Sequence, residues 1–227
     1  LGQSLMNQGY SPQEILDSLV LNDAQNNPAI RQYGAVDLIG GGRSAAFTGD
    51  GCMDYKNHIT GPTYAIQGNI LLGQEILDNM EENFLNTQGT LSEKLMMSLQ
   101  GANIAGADTR CLSSGTSSLS AFIRVARHDD IPDNFYLHLN VDNLPNGTEP
   151  IDILQNHFNE WSQLLPNILS GDANNDQLIN ISDILILIGQ ITGSQIMSEN
   201  QLYAVDMNSD STINIQDIII IVNIFII

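Results

Sequence analysis

The sequence predicts an α+β protein of two domains, a larger mixed domain over residues 1–166 and a small all-α domain over residues 167–227. Three observations support this prediction. The 227 residues suffice for one domain of ordinary size and a second, small one. Helical and strand patterns are mixed along the first 166 residues. The C-terminal part contains a repeat in which an Asp- and Asn-rich loop twice precedes an apolar helix.

The first elements follow from capping signals and periodicity. Ser11 and Glu14 form a capping box with Pro12 at the first helical position, which predicts a helix over residues 12–23. The segments 32–39 and 43–48 read as strands. Three consecutive glycines join them, and because this run lacks the spacing of a phosphate-binding loop, it predicts a hairpin turn.

The remaining elements of the larger domain are helices, a second strand pair and a last helix. Apolar spacing around Met80 predicts one helix, and a capping box at residues 90–93 opens another, with Leu91, Leu95 and Leu99 facing inward. Residues 119–126 and 135–141 predict strands, and residues 150–165 a final amphipathic helix.

The composition limits the class of partner. The formal net charge is −19, from 7 basic and 26 acidic residues, so neither nucleic acid nor an anionic membrane is an expected partner and cations are. The longest apolar run, residues 218–227, is about half as long as a membrane-spanning helix. No signal peptide opens the chain, which begins at Leu1 within a helical pattern, and we expect a fragment or a processed chain.

The repeat predicts two calcium sites. Residues 172–183 align with residues 206–217, 34 positions later. Calcium takes six to eight oxygens, which a twelve-residue loop presents from the side chains at positions 1, 3, 5, 9 and 12 and the main-chain carbonyl at position 7. The predicted ligands are Asp172, Asn174, Asp176, the Leu178 carbonyl, Asn180 and Asp183, and in the second loop Asp206, Asn208, Asp210, the Thr212 carbonyl, Asn214 and Asp217.

Two details of the loops add to this prediction. Position 6 holds Gln177 and Ser211 where a glycine is expected, which predicts a lowered calcium affinity. Position 8 holds Ile179 and Ile213, which are expected to pair as a short strand. The alternative is a pair of Asp- and Asn-rich turns that bind no metal. It is disfavoured, because it does not explain why the same oxygen-bearing positions recur 34 residues later.

These loops resemble type I dockerin repeats, including Asp instead of Glu at position 12, over about residues 171–227. The resemblance implies an EF-hand-like calcium module that binds a cohesin-like protein partner and attaches its host to a scaffold or cell surface. Partner choice in that family often involves positions 10 and 11, here Ile181-Ser182 and Ile215-Gln216, which differ from the usual small hydroxyl pair. A secreted or cell-surface location is therefore expected.

The two cysteines, Cys52 and Cys111, are too few for a zinc site without nearby His or carboxylate ligands. A disulfide is predicted, because the calcium module points outside the cell. Two free buried thiols are the alternative.

Several segments of the larger domain together resemble the family called domain of unknown function 1028. They are IRQYG at 30–34, RSAAFTG at 43–49, HITGP at 58–62, YAIQGNIL at 64–71 and GADTR at 106–110. This family is similar to N-terminal-nucleophile hydrolases, and the resemblance implies their αββα sandwich. Such enzymes use an N-terminal Thr, Ser or Cys. Leu1 cannot act in this way, and the opening strand of the family is absent from this chain.

Four polar residues are candidates for the cleft of this hydrolase-like domain: His58, Asn69, Asp108 and Arg110. Each has a structural alternative. His58 could lie on a surface loop beside Gly61, and Asn69 in a turn that caps a strand. Asp108 and Arg110 could instead form an ion pair that supports the sheet.

Two functional hypotheses follow. In the first, an exported amide-hydrolase-like domain is attached to a scaffold or cell surface through the calcium-dependent module. In the second, the hydrolase-like domain is inactive and the protein is structural or self-assembling, since the Ile-rich helices offer apolar surface to another copy of the chain.

Overall fold

The computed structural model describes residues 1–127, 130, 135–142, 144–164, 169–174, 176, 178–197, 199–208, 210 and 212–225. The chain divides into two compact units, Leu1–Asn159 and Glu160–Ile227. The elements of the first unit are α1 (Gly2–Asn7), α2 (Pro12–Leu21), β1 (Gln32–Asp37), β2 (Arg43–Thr48), β3 (Asn57–Gly61), β4 (Tyr64–Gly68), α3 (Gln74–Asn86), α4 (Leu91–Gly101), β5 (Ala121–Val125) and β6 (Leu137–Val141). α5 (Pro150–Leu164) runs from the first unit into the second, which continues with α6 (Ile181–Ile191), α7 (Glu199–Val205) and α8 (Ile215–Phe225).

The first hairpin packs one face against α2. Strands β1 and β2 are antiparallel, and Ala35 lies opposite Ala45. These two residues are buried with Ile15 and Leu16 of α2. The predicted capping box opens α2, since Ser11 Oγ accepts the Glu14 N–H while the Glu14 carboxylate accepts the Ser11 N–H at 2.8 Å.

The other face of this hairpin packs on the second hairpin, β3–β4. Gln32 Nε2 donates to the Gly68 carbonyl at 2.9 Å, and Ser44 Oγ donates to the Gly61 carbonyl. Gly34 lets the two hairpins approach closely, because a Cβ at this position would lie 2.4 Å from Gln67 Oε1. The two hairpins therefore lie face to face.

Helices α3 and α4 lie behind the second hairpin. The Tyr64 ring lies 5.2 Å from that of Phe84, and its hydroxyl donates to Glu81 Oε1 at 2.6 Å. This hydrogen bond, with burial second, raises the pKa of Tyr64 to about 12. Ser98 of α4 donates to the Met80 carbonyl of α3 at 3.0 Å. The described part of this unit thus stacks helix, hairpin, hairpin and helices in four successive layers.

Strands β5 and β6 form a third hairpin, with Ile123 opposite Leu139. Ile123 is buried. In α5, Ile151, Leu154 and Phe158 are buried, and their spacing confirms the predicted amphipathic pattern.

The mixed helix and strand composition confirms the predicted α+β class, but two local predictions are wrong and one hairpin was not foreseen. The unforeseen hairpin is β3–β4, which places His58 on a strand, so the surface-loop alternative for this residue does not describe the structure. Leu91 is 54% exposed, while Met96 is the buried large apolar residue of α4. The first strand ends at Asp37 and not at residue 39, because Ile39–Gly41 forms a 3-10 turn in which Gly40 and Gly41 have positive φ.

The predicted disulfide is absent, since Cys52 and Cys111 are both free and buried. They lie in different surroundings. Cys52 Sγ contacts the Arg31 carbonyl at 3.4 Å, whereas Cys111 lies in the 3-10 segment Thr109–Ser114. Burial is the main cause that raises the pKa of the Cys111 thiol. The alternative of two buried thiols describes the structure.

The second unit has its own core. Its buried residues include Ile184 and Leu187 of α6, Val205 of α7 and Ile221 of α8, together with Ala173 of the first loop. Ile179 and Ile213 pack against this core, but the described residues form no strand ladder between them, so the expected short strand is not observed. Helix α7 was not expected from the sequence.

Candidate calcium-binding loops

In each predicted loop, main-chain N–H groups donate hydrogen bonds to the side-chain oxygens of the same loop and so fix its conformation. In the first loop, the Asp176 N–H donates to Asp172 Oδ1 at 3.1 Å and to Asn174 Oδ1 at 2.9 Å. The Leu178 N–H donates to Asp176 Oδ1 at 2.9 Å, and the Ser182 N–H to Asn180 Oδ1 at 2.8 Å. These bonds fix the orientation of the oxygens at loop positions 1, 3, 5 and 9.

The second loop repeats this pattern residue by residue. The Asp210 N–H donates to Asp206 Oδ1 and to Asn208 Oδ1, both at 3.1 Å. The Thr212 N–H donates to Asp210 Oδ1, and the Gln216 N–H to Asn214 Oδ1, both at 2.8 Å. Since the side chains differ at several intervening positions, the shared ligand positions and not the whole sequence determine this loop shape.

The aspartate at position 12 ties the beginning of each loop to its end. Asp183 accepts the Ala173 N–H through Oδ1 at 2.9 Å and the Asn180 N–H through Oδ2 at 2.8 Å. Asp217 does the same for Met207 and Asn214, at 2.9 Å in both cases. Asp183 and Asp217 are each 0% exposed. Both oxygens of each carboxylate are thus held at the loop, and Asp183 Oδ1 also accepts the Asn174 N–H at 3.3 Å.

The charge of this unit fits a bound cation. Residues 160–227 contain eight acidic residues and no Lys, Arg or His. Asp172 is also buried, at 2% exposure. Buried carboxylates are normally paired with a cation, because removing an unpaired charge from water costs on the order of several kcal/mol. This part of the chain offers no basic side chain for that purpose, so calcium fits the site both in charge and in donor type.

The ligand set depends on amide and carbonyl oxygens as well as carboxylates. Among the described residues, no three His, Cys, Asp or Glu side chains alone form a group that could hold a metal. The set proposed for each loop includes two asparagines and one main-chain carbonyl, which are hard oxygen ligands suited to calcium. Gln177 and Ser211, on which the predicted loss of affinity depends, lie outside the described residues.

Both loop helices present apolar side chains to solvent. Ile181 and Leu185 of α6 are 60% and 61% exposed, and Ile215 and Ile219 of α8 are 62% and 55% exposed. Leu185 and Ile219 lie one helical turn after Ile181 and Ile215, so each pair shares a face. We call these four residues the apolar faces of α6 and α8. Sequence reasoning singled out Ile181 and Ile215 but missed the other two, although the 34-residue repeat relates them.

The four candidate cleft residues are not brought together as one site. His58 Nδ1 lies 2.9 Å from Thr48 Oγ1, between the two stacked hairpins. Asn69 is exposed just after β4. Arg110 Nε donates to Asp108 Oδ1 at 2.9 Å, and this bond is the main cause that lowers the pKa of Asp108. Asp108 and Arg110 therefore form the ion pair that the sequence left open as an alternative.

Asp108 also supports the neighbouring main chain. It forms an isolated antiparallel bridge with Leu71. Its N–H donates to the Ser117 carbonyl at 2.8 Å. Its carboxylate accepts the Arg110 N–H and opens the 3-10 segment Thr109–Ser114. These contacts indicate a structural position for Asp108.

No helix within the described ranges is long and apolar enough to cross a membrane.

Comparison with known proteins yields two family matches. A model described as "Family of unknown function (DUF1028)" matches residues 1–152, and one described as "Dockerin type I domain" matches residues 170–225. The chain is also similar to the crystal structure of a DUF1028 protein from Silicibacter pomeroyi, with 26% identity and a TM-score of 0.54. This match covers 70% of the chain and 64% of that protein, so the chain spans just under two thirds of the length of this relative. No curated protein matches the chain.

Proposed function

Because the chain belongs to the DUF1028 family and carries a type I dockerin domain over residues 170–225, we propose that it is a calcium-dependent attachment protein. In this proposal two calcium ions order the dockerin domain, which then binds a cohesin-type protein. The DUF1028 domain is the part that becomes attached to a scaffold or cell surface. A secreted or cell-surface location is part of the proposal, since dockerin domains occur in such assemblies.

One observation carries this proposal: the same orienting hydrogen bonds occur in both loops, around carboxylates that no basic residue of this unit neutralises. Calcium would be held by Asp172, Asn174, Asp176, Leu178, Asn180 and Asp183, and by Asp206, Asn208, Asp210, Thr212, Asn214 and Asp217. The ion supplies positive charge at the centre of each loop. Because each loop ends directly in α6 or α8, ordering of the loop fixes the helix that follows.

The apolar faces of α6 and α8 are the proposed contact surface for the partner. Ile181 and Ile215 occupy loop position 10, and each is followed one turn later by a second large aliphatic side chain. These faces favour a partner whose own surface is apolar at the contact, because such a surface removes Leu185 and Ile219 from water along with the two position-10 side chains. A partner that recognises small hydroxyl side chains is disfavoured.

For the first unit, we propose a hydrolase-like αββα sandwich. The four observed layers of helix, hairpin, hairpin and helices support this proposal, as does the similarity to the DUF1028 structure. Asp108 and Arg110 are assigned a structural role, since their ion pair holds the 3-10 segment. His58 and Asn69 remain the candidates for contact with a substrate.

The attachment function is tested with a panel of purified cohesin domains and the full chain. Binding is measured by calorimetry in ~10 mM calcium, which is about tenfold or more above the dissociation constants of extracellular calcium modules, and again in excess chelator. Binding to at least one cohesin that disappears in chelator is the expected result. Binding that persists unchanged in chelator contradicts calcium dependence, and failure of the whole panel contradicts a cohesin-type partner.

A pair of matched variants locates the surface. Ile181→Asp with Ile215→Asp places charge on both apolar faces and is expected to weaken binding at least tenfold. Leu21→Asp provides the control, because Leu21 is an even more exposed apolar residue, at 81% exposure, on α2 of the other unit. Equal loss in the control would show that the apolar faces are not the contact.

A further inference from the structure

Polar side chains meet at one end of the two stacked hairpins. Ala35 of β1 and Ala45 of β2 are buried with α2. Gln32 and Thr48 each lie three residues from these alanines, and because strand side chains alternate between faces, both point towards the second hairpin. His58 of β3 meets them there, with its Nδ1 2.9 Å from Thr48 Oγ1. Since the layer between stacked sheets is usually apolar, this polar cluster needs an explanation other than packing.

The cluster lies where four strands begin or end. Gln32 is the first residue of β1 and Thr48 the last of β2. His58 is the second residue of β3, and Gly68 is the last of β4. Asn69, the other candidate for contact with a substrate, follows Gly68 directly. Thr48 and His58 are both partly exposed, so a small molecule can reach them from this end.

Two main-chain carbonyls orient the Gln32 amide. Its Nε2 donates to the Gly68 carbonyl at 2.9 Å and lies 3.4 Å from the Asn57 carbonyl. Because a carbonyl oxygen can only accept, the NH₂ group of Gln32 and not its oxygen must lie on this side. The same Nε2 lies 3.0 Å from Thr48 Oγ1. Gln32 therefore donates a hydrogen bond to the Thr48 hydroxyl oxygen.

The proton of the Thr48 hydroxyl is consequently directed to His58. Among the described residues, Gln32 and His58 are the hydrogen-bond partners of Thr48 Oγ1. Gln32 offers this oxygen a donor and no acceptor, whereas Nδ1 of a neutral imidazole accepts when the ring proton is on Nε2. If His58 donated instead, the hydroxyl proton would have no acceptor in this cluster. A hydroxyl that donates to an imidazole is the arrangement of a nucleophile and its general base.

We propose that Thr48 is the nucleophile and His58 the general base of a site that hydrolyses small amides or esters. This inference rests on the proposed hydrolase-like nature of the first unit. Thr48 Oγ1 attacks the carbonyl carbon of the substrate while its proton passes to His58 Nδ1. The bond between that carbon and the leaving nitrogen or oxygen then breaks, and the leaving group takes the proton from His58.

Hydrolysis of the resulting ester on Thr48 completes the reaction. His58 Nδ1 accepts a proton from water as the water oxygen attacks the ester carbon. The bond from this carbon to Thr48 Oγ1 breaks, His58 returns the proton to Oγ1, and a carboxylic acid is released. Gln32 is a positioning residue in this scheme, because its hydrogen bond ties Oγ1 to the end of β4.

The test uses the full chain in saturating calcium and p-nitrophenyl acetate, an activated ester whose acetyl group marks the residue that attacks it. Absorbance follows the release of p-nitrophenolate, and peptide mass spectrometry of acid-quenched samples locates the acetyl group. An acetyl group on Thr48 is expected. His58→Gln keeps a hydrogen-bond acceptor but cannot take up the proton, and should slow the release at least about tenfold, since general-base assistance is typically worth about a hundredfold or more.

A matched pair of variants on β2 separates catalysis from packing. Thr48→Val keeps the shape of the side chain without its hydroxyl, and should abolish acetylation at this position. Ser44→Ala is the control, because Ser44 lies on the same face of β2 and its hydroxyl donates to the Gly61 carbonyl of the second hairpin. It also removes a hydrogen bond between the hairpins, yet it should change the rate of release less than about twofold.

Three results overturn the proposal. The first is equal release of p-nitrophenolate by the wild-type chain and Thr48→Val. The second is a loss of release in Ser44→Ala as large as that in Thr48→Val, because the hydrogen bonds between the hairpins would then only stabilise the fold. The third is acetylation of a different residue at a rate that Thr48→Val does not change, which would still leave the first unit hydrolase-like. The attachment function is unaffected by all three results, since it depends on calcium and cohesin binding.

Discussion

At the scale of single residues, the main feature of the second unit is a set of buried carboxylates in a stretch, residues 160–227, whose sequence contains no Lys, Arg or His. Asp183 and Asp217 are fully buried, and each accepts main-chain N–H groups at both ends of its loop. These hydrogen bonds orient the carboxylates without neutralising them. In the proposed function, calcium would supply the neutralising charge.

Single substitutions at loop position 12 are predicted to remove one calcium site each. Asp183→Asn and Asp217→Asn keep one acceptor oxygen but lose the charge, so calorimetric titration with calcium should show two sites in the wild type, one in each variant and none in the double variant. Asp152→Asn is the control, since Asp152 is an exposed carboxylate on α5. Two sites of unchanged affinity in both single variants would contradict the ligand assignment.

Asp23 has an equally specific role in the first unit. Its carboxylate accepts Arg31 Nε at 2.8 Å and the N–H groups of Gln25 and Asn27 at 2.9 and 3.0 Å. These bonds, that of Arg31 first, hold the pKa of Asp23 well below its usual range. Asp23 thus fastens the loop between α2 and β1.

The lowered pKa of Asp23 predicts a pH dependence of stability. Because its folded pKa lies below the unfolded value of about 4, its contribution is complete above about pH 5 and is lost as the pH falls through the folded pKa. Asp23→Asn should therefore be less stable than the wild type at pH 7, and the difference should shrink below about pH 4. This stability difference is measured by denaturant unfolding monitored through hydrogen exchange of the β1 amides. A difference that grows towards low pH would contradict the prediction.

At the scale of elements, helix starts were the most predictable feature. The capping boxes at Ser11 and Thr90 depend on residues three positions apart, and both form. The β3–β4 hairpin was missed because one face of it packs on the first hairpin through His58 and Gln67. Polar residues therefore stand on the face that contacts the first hairpin, and the alternation of apolar and polar residues that signals a strand is hidden.

The same limit applies to the sites. The loop residues whose side-chain oxygens accept main-chain N–H groups could be identified from the sequence, since they are local in sequence and occur twice. A groove lined by residues of β4 and β5 was not predictable, because it is formed by segments about 60 residues apart in the sequence. Prediction of the disulfide failed for a related reason: spacing along the chain does not determine which buried surroundings Cys52 and Cys111 enter.

The capping box of α2 predicts a measurable loss of stability. Ser11→Ala removes the side-chain oxygen that accepts the Glu14 N–H, and should cost about 1 kcal/mol. Hydrogen exchange of α2 amides in the native protein reports this cost. Gln13→Ala is the control, because Gln13 is exposed on the same turn and should change stability by less than about 0.5 kcal/mol. Equal effects of the two substitutions would show that the cap does not stabilise α2.

At the scale of the whole molecule, the two units differ in what stabilises them. The first has stacked hairpins, buried helices and ion pairs such as that between Arg43 and Asp37. The second has a small apolar core and six loop aspartates, with no basic residue in residues 160–227. A small domain with unneutralised buried charge depends strongly on a ligand for its stability.

Removal of calcium is therefore predicted to destabilise the second unit selectively. At a hundredfold excess over the dissociation constant, each bound ion adds about 2.7 kcal/mol to the stability of the form that binds it. Excess chelator should thus increase hydrogen exchange throughout α6 and α8 while the amides of β1 and β2 keep their protection. Asp183→Asn with Asp217→Asn should show the increased exchange even in calcium. Equal loss of protection in both units would contradict selective stabilisation, and unchanged exchange in α6 and α8 would mean that calcium does not order this unit.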